Sequence, residues 1–218
     1  MIADYGMVIR RPDGKFWMSP DVTPLTFQYR EERRITNNNV NSFITNIPIS
    51  SPFLVFARRV SGTSWSSFEY YQSGGFWGVR TKFSMITAQT PATIIFYYFS
   101  NIPRIDSDYG IVFRDSSGAV TWSGDSLPLQ MQPYYMAPTS YTVNVGATCA
   151  VTPMFCMFQV EAYFPGTPPI WMYGGYAFMA TGNTVSRELV SMDETTAPWD
   201  DRPTSTTFYA INTELYDL

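Results

Sequence analysis

Carboxylates are the only side chains in this sequence grouped in a way that suits acid–base chemistry. Asp106 and Asp108, Asp193 and Glu194, and Asp200 and Asp201 stand close together along the chain, and Glu161 lies in an apolar stretch. Glycoside hydrolysis needs two carboxylates across a cleft, one to donate a proton and one to act as base or nucleophile. Nearness in sequence does not set that separation, and Asp-rich turns are the plain structural alternative. Histidine is absent from all 218 residues. That removes Ser-His-Asp and Cys-His nucleophile activation and the His-containing zinc sites. The acidic segments also lack the ligand spacing of an EF-hand calcium loop. No catalytic residue, metal ligand or cofactor is assigned, and a non-enzymatic role is expected.

Two further groups of residues bear on structure or binding. Cys149 and Cys156 are the only cysteines, seven residues apart in an apolar stretch. On one extended strand an odd separation places them on opposite faces, which disfavours a disulfide unless the chain turns between them. Without a disulfide framework, a reducing compartment of synthesis is expected. The aromatic clusters are the stronger candidates. Trp65, Tyr70, Tyr71 and Trp77 mix with small polar residues in one half, and Trp171 and Tyr173 do so in the other. Rings of this kind give large contact area at low entropic cost, so they serve protein interfaces or stack on sugars. Alternating rings that simply fill a β core are the competing explanation.

The elements that must hold these residues are strands. Aromatics make up 17% of the chain and charged residues only 15%, while 16 Pro and 14 Gly interrupt it too often for long helices. The net charge of −4 argues against binding a phosphate backbone, which calls for a basic surface. Arg30, Arg33 and Arg34 are offset by Glu31 and Glu32 and read as a solvated face or turn. The first residues lack the basic and apolar regions of a signal peptide. The longest apolar run, near residues 92–99, is too short to cross a bilayer as a helix. A soluble chain made in the cytoplasm, without membrane insertion, is expected.

An internal repeat organises the whole. Residues 4–28 align without a gap on residues 108–132. Asp4, Tyr5, Gly6, Val8, Arg10, Gly14, Ser19, Asp21, Pro24, Leu25 and Gln28 each recur 104 positions later. Each copy reads as a β-hairpin: a short apolar run, a turn closed by Gly14 or Gly118, and a returning apolar run. Pro24-Leu25 and Pro128-Leu129 then open another extended segment. Weaker echoes join residues 51–56 to 152–157, Gly74-Gly75 to Gly174-Gly175, and residues 93–98 to 206–211. The expectation is an all-β chain of two tandem, related antiparallel β-sandwich domains, 1–103 and 104–218, divided near Pro103.

The Asp-Tyr-Gly-apolar strand, the glycine turn and the later Asp and Pro-Leu resemble the opening of small tail-cluster proteins of lambda-like siphophages and prophages. The likeness covers residues 4–28 and their second copy, and it brings no catalytic residues with it. It implies a virion protein at or near the tail tip, made in the bacterial host cytoplasm. It also implies other tail proteins as partners and a multimer in the particle. A receptor- or glycan-binding module of the tail is the alternative, and a carboxylate-dependent glycan hydrolase a third reading.

Overall fold

The computed structural model describes residues 9–10, 12–14, 16–18, 24–36, 41–83, 90–105, 110–137, 139–153, 155–166, 170–195 and 207–217. Asp4, Asp106, Asp108, Asp200 and Asp201 lie outside them. The described chain is all-β, and every strand pairing is antiparallel.

The first half begins with a hairpin, β1 (Ile9–Arg10) and β2 (Phe16–Met18). It continues with β3 (Thr26–Ile35), β4 (Ser42–Pro48), β5 (Leu54–Ser61), β6 (Ser67–Ser73), β7 (Phe76–Phe83) and β8 (Ala92–Ser100). The second half opens with the matching hairpin, β9 (Val112–Arg114) and β10 (Val120–Ser123). Then come β11 (Met131–Tyr135), β12 (Thr142–Asn144), β13 (Cys149–Val151), β14 (Phe155–Phe164), β15 (Ile170–Thr181), β16 (Thr184–Thr195) and β17 (Thr207–Asn212).

The strand order is repeated as well as the sequence. In the first half β8 lies between β3 and β5, and β7 between β4 and β6; in the second, β17 lies between β11 and β13, and β16 between β12 and β15. The second half adds one strand, β14, on the outer side of β15. The inner strands β5 and β13 pair through Val151 and Ala57, which joins the two three-stranded sheets into one of six, β11-β17-β13-β5-β8-β3. Each half therefore supplies three strands to a common sheet, and β4, β6 and β7 of the first half and β12 and β14 to β16 of the second lie over one face of it.

The common sheet curls. Thr26 of β3 forms an antiparallel bridge with Pro128, flanked by Phe27 N–H to Leu127 O (2.8 Å) and Leu129 N–H to Leu25 O (2.7 Å). Pro128 is three residues from β11, a reach of at most about 10 Å. A flat six-stranded sheet would hold β3 and β11 about 24 Å apart. The right-handed twist of strands brings such corners together. The repeated Pro-Leu segments thus meet each other across the middle of the molecule.

Curling buries the middle of the sheet on both faces, which accounts for the unbroken apolar run of β8. Ile94, Phe96 and Tyr98 point into the first core with Val55, Trp65, Phe68 and Val79. Ile95, Tyr97 and Phe99 point the other way, into a concave core with Phe27, Phe56, Ile211 and Tyr216. A third core, containing Cys149, Cys156, Tyr176, Phe178 and Phe208, fills the second half. β15 is also buried on both faces: Tyr176, Phe178 and Ala180 face this third core, while Ala177 and Met179 complete the first.

The disfavoured disulfide is absent, and two of the weaker echoes do not hold. β13 and β14 belong to different sheets, the chain leaving β13 after Val151, so Cys149 and Cys156 face one core from opposite sides and remain free thiols. Gly74-Gly75 is the turn between β6 and β7, with φ of 59° and 84°, whereas Gly174-Gly175 sits inside β15 at a bulge. The true counterpart of the first pair is the β15–β16 turn at Gly182. Likewise residues 51–56 lead into β5 and residues 152–157 into β14, which occupy different sheets.

Candidate functional site

The six aromatic candidates fall in three places. Trp65 is 1% exposed in the first core, and its indole N–H donates to Phe178 O of the other half at 3.1 Å. Phe68 meets it edge-on at 5.8 Å. The expectation of a contact role for Trp65 is corrected: its segment turns inward between strands and becomes part of the seam between the halves. Trp77 is half-buried, stacks on Phe53 at 5.8 Å and 8°, and donates its N–H to Ser51 O at 2.9 Å. Tyr70 meets the same Phe53 edge-on at 5.2 Å, with its hydroxyl accepting from Val55 N–H at 3.4 Å. These two rings frame the first core, although Tyr70 keeps 43% of its surface exposed.

Tyr71 points the opposite way, because successive strand residues alternate between faces. It lies opposite Gly78 on the outer face of the β4–β7–β6 sheet. The ring sits so close over this glycine that a Cβ there would come within 2.5 Å of Tyr71 Cε1. The missing side chain of Gly78 leaves the room that the ring occupies. Arg80 stands 5.6 Å from the ring centre and bonds Glu69 at 2.5 Å. Ile44, directly across from Gly78, is 54% exposed, and Phe76 is 40% exposed.

Trp171 lies near the start of β15, half-buried, across from Tyr163. Beside it Phe164 and Ile170 oppose each other and are 52% and 39% exposed. Tyr173 pairs through its backbone with Val160 and Asp193; its side chain is outside the described residues. Trp171 and Tyr173 thus share the end of the β14–β15 hairpin, but this site is separate from Tyr71.

A further aromatic edge was missed in the sequence. Met131 and Tyr135 on the end strand β11 share a face with Tyr209 of β17, through the Pro133–Tyr209 and Met131–Ile211 pairs. They are 45%, 64% and 43% exposed. Pro133 was the available signal, since a proline within a strand marks a sheet edge. A groove of about 630 Å³ runs beside it, lined by Pro24, Leu25, Leu54, Leu129, Gln130 and Met131 among others.

Charged groups mostly serve structure. Arg59 and Glu188 join the halves at 3.2 Å. Arg33 pairs with Glu31 on β3, and the exposed Arg30, Glu32 and Arg34 keep this long end strand from pairing with other chains. Arg187, 4% exposed, donates to the carbonyls of Met136, Ala137 and Ser140 at 3.2–3.4 Å and ties down their loop. The repeated arginine and glycine of the hairpins also find a role: Arg10 donates to Gly14 O at 3.3 Å and Arg114 to Gly118 O at 3.0 Å. Asp115 accepts from Ser117 and Ala119 in the second hairpin's turn, and these bonds hold its carboxyl below the ordinary range.

Asp193 and Glu194 lie in β16, which runs to Thr195, and Glu161 lies within β14; their side chains are outside the described residues. Among the described residues no three His, Cys, Asp or Glu side chains gather as a metal site. Burial pushes the Cys149 thiol up to about 11 and the Cys156 thiol up to about 12, so neither is a nucleophile at neutral pH. No protein-family model matches this chain, and no curated protein or solved structure is significantly similar to it.

Proposed function

We propose that the protein is a non-enzymatic component of a bacteriophage virion, at or near the tail tip, that works through protein contacts in assembly or host attachment. Its partners are other tail proteins, and it is a multimer in the particle. The resemblance of the duplicated motif to tail-cluster proteins supplies the context. The carrying observation is the placement of exposed rings and aliphatic groups at strand edges and hairpin ends: Met131, Tyr135 and Tyr209 in one group, Phe164 and Ile170 in the other. Aromatic and Met-rich surface of this kind favours protein–protein contact. Mass spectrometry of purified virions is expected to find the chain in stoichiometric amounts, and its consistent absence from intact particles would refute the proposal.

Tyr71 supports a second reading, a glycan or receptor contact. A ring packed against Gly78, flanked by Arg80 and Glu69, combines aromatic surface with hydrogen-bonding groups. Binding to host cells or a glycan panel is expected to fall for Tyr71→Ala and to persist for Tyr135→Ala. The reverse pattern would return the role to the β11 edge.

A further inference from the structure

We propose that the last two described residues, Tyr216 and Asp217, form a clasp that holds the common sheet in its curled shape, and that releasing it opens the concave core.

The clasp is built by a sharp turn. After β17 the chain makes a single 3-10 turn, Thr213–Leu215, capped by the Asn212 side chain accepting from Glu214 N–H at 3.0 Å. Thr213 is tied to Thr148 O by its own N–H at 2.9 Å, and the N–H groups of Tyr216 and Asp217 both donate to Thr213 O at 2.9 Å. The turn projects the next two side chains over the concave face. Tyr216 is 1% exposed, with its ring 5.3 Å from Phe27 and 5.1 Å, edge-on, from Phe99. Its hydroxyl donates to Pro128 O and accepts from Gln130 N–H, both at 2.9 Å. One side chain thereby holds β3 and β8 of the first half and the Pro-Leu segment of the second.

Asp217 secures the other side. Its carboxylate accepts from the Tyr97 hydroxyl at 2.7 Å and from Arg58 at 3.1 Å, with Arg30 at 3.5 Å. Arg58 also donates to Tyr97 at 2.8 Å. Arg30, Arg58 and Tyr97 come from β3, β5 and β8, which are all three first-half strands of the common sheet.

Direct pairing within the sheet is thin where the clasp acts. One residue pair joins β5 to β13, and one isolated bridge joins Thr26 to Pro128. Among the described residues no second sheet covers the concave core, unlike the other two. Its residues stay dry only while the sheet remains curled around Tyr216.

Native-state hydrogen exchange on the full-length protein tests this with Tyr216→Phe, which keeps the ring but loses both hydroxyl bonds, and with Asp217→Asn. A local clasp predicts at least tenfold faster exchange at Phe27, Leu129 and Gln130. Amides of the β6–β7 hairpin should be unchanged, and an apolar dye should gain binding. A uniform rise across all strands would make the two residues ordinary global stabilisers, and no change at those three amides would remove the clasp altogether. Either result overturns the proposal.

Discussion

Replacing Trp65 by Phe separates a core role from a contact role at one of the six aromatic binding candidates. The substitution removes the indole N–H that reaches Phe178 O at 3.1 Å from the other half. A buried acceptor left without this donor costs about 1–3 kcal/mol. The smaller ring also leaves a void in a core where Trp65 is 1% exposed, adding about 1–2 kcal/mol for incomplete collapse. The sum, about 2–5 kcal/mol, lowers Tm by roughly 4–20 °C for a chain of this size. Thermal melts followed by near-ultraviolet circular dichroism measure it directly. Below the transition the variant should still incorporate into virions, or bind host cells, as the parent does. An unchanged Tm accompanied by lost binding would refute the buried placement of Trp65.

Three other outcomes follow from the packing. Gly62 has φ +78° and a Cβ there would lie 2.1 Å from Pro91 O, while Gly14 has the same φ with open space around it. Gly62→Ala should therefore cost clearly more than the ~1–2 kcal/mol of the left-handed conformation that both alanines share, and equal urea midpoints for the two variants would contradict the close approach. Cys149 and Cys156 should resist a thiol reagent at pH 8 and react fully in denaturant, since burial raises them to about 11 and 12; rapid native labelling would place them elsewhere. Stability should fall on the alkaline side. Burial raises Tyr97 from 10.0 to about 12, with Cys149 and Cys156 raised from 9.0. The unfolded chain then loses these protons first, so stability present below about pH 9 declines as pH rises toward 12. A flat profile of urea midpoint between pH 8 and 11 would contradict this burial.

The repeat made much of the fold legible because its identities are local or meet each other. Arg10 and Arg114 each bond the glycine carbonyl four residues on, and the two Pro-Leu segments bridge across the molecule. What the repeat does not encode is its own joining. The β5–β13 pairing rests on Ala57 and Val151, which look like any other core residues. Tyr216 and Asp217 likewise carry no motif, since their side-chain partners lie 86 to 189 positions away. The candidate site was legible as composition but not as position. Strand alternation states that Tyr70 and Tyr71 face opposite ways without stating which way is out. It says nothing of Trp65, which lies in the buried connection before β6. The weaker glycine echo misled because a Gly pair serves a turn at residues 74–75 and a bulge at 174–175 with equal ease.

The joining of the two repeats into one curled sheet is the claim on which the rest depends, and a single proton–proton contact tests it. Thr26 and Pro128 face each other between the two flanking bonds Phe27 N–H to Leu127 O and Leu129 N–H to Leu25 O. In such a pair the Cα atoms approach to about 4.5 Å, so their Hα protons should give a strong cross-peak in a nuclear Overhauser spectrum. Finding it, together with the contacts of the β3–β8 pairing, supports a sheet closed across the repeat. Finding the β3–β8 contacts with no Thr26–Pro128 cross-peak, once both resonances are assigned, would contradict it.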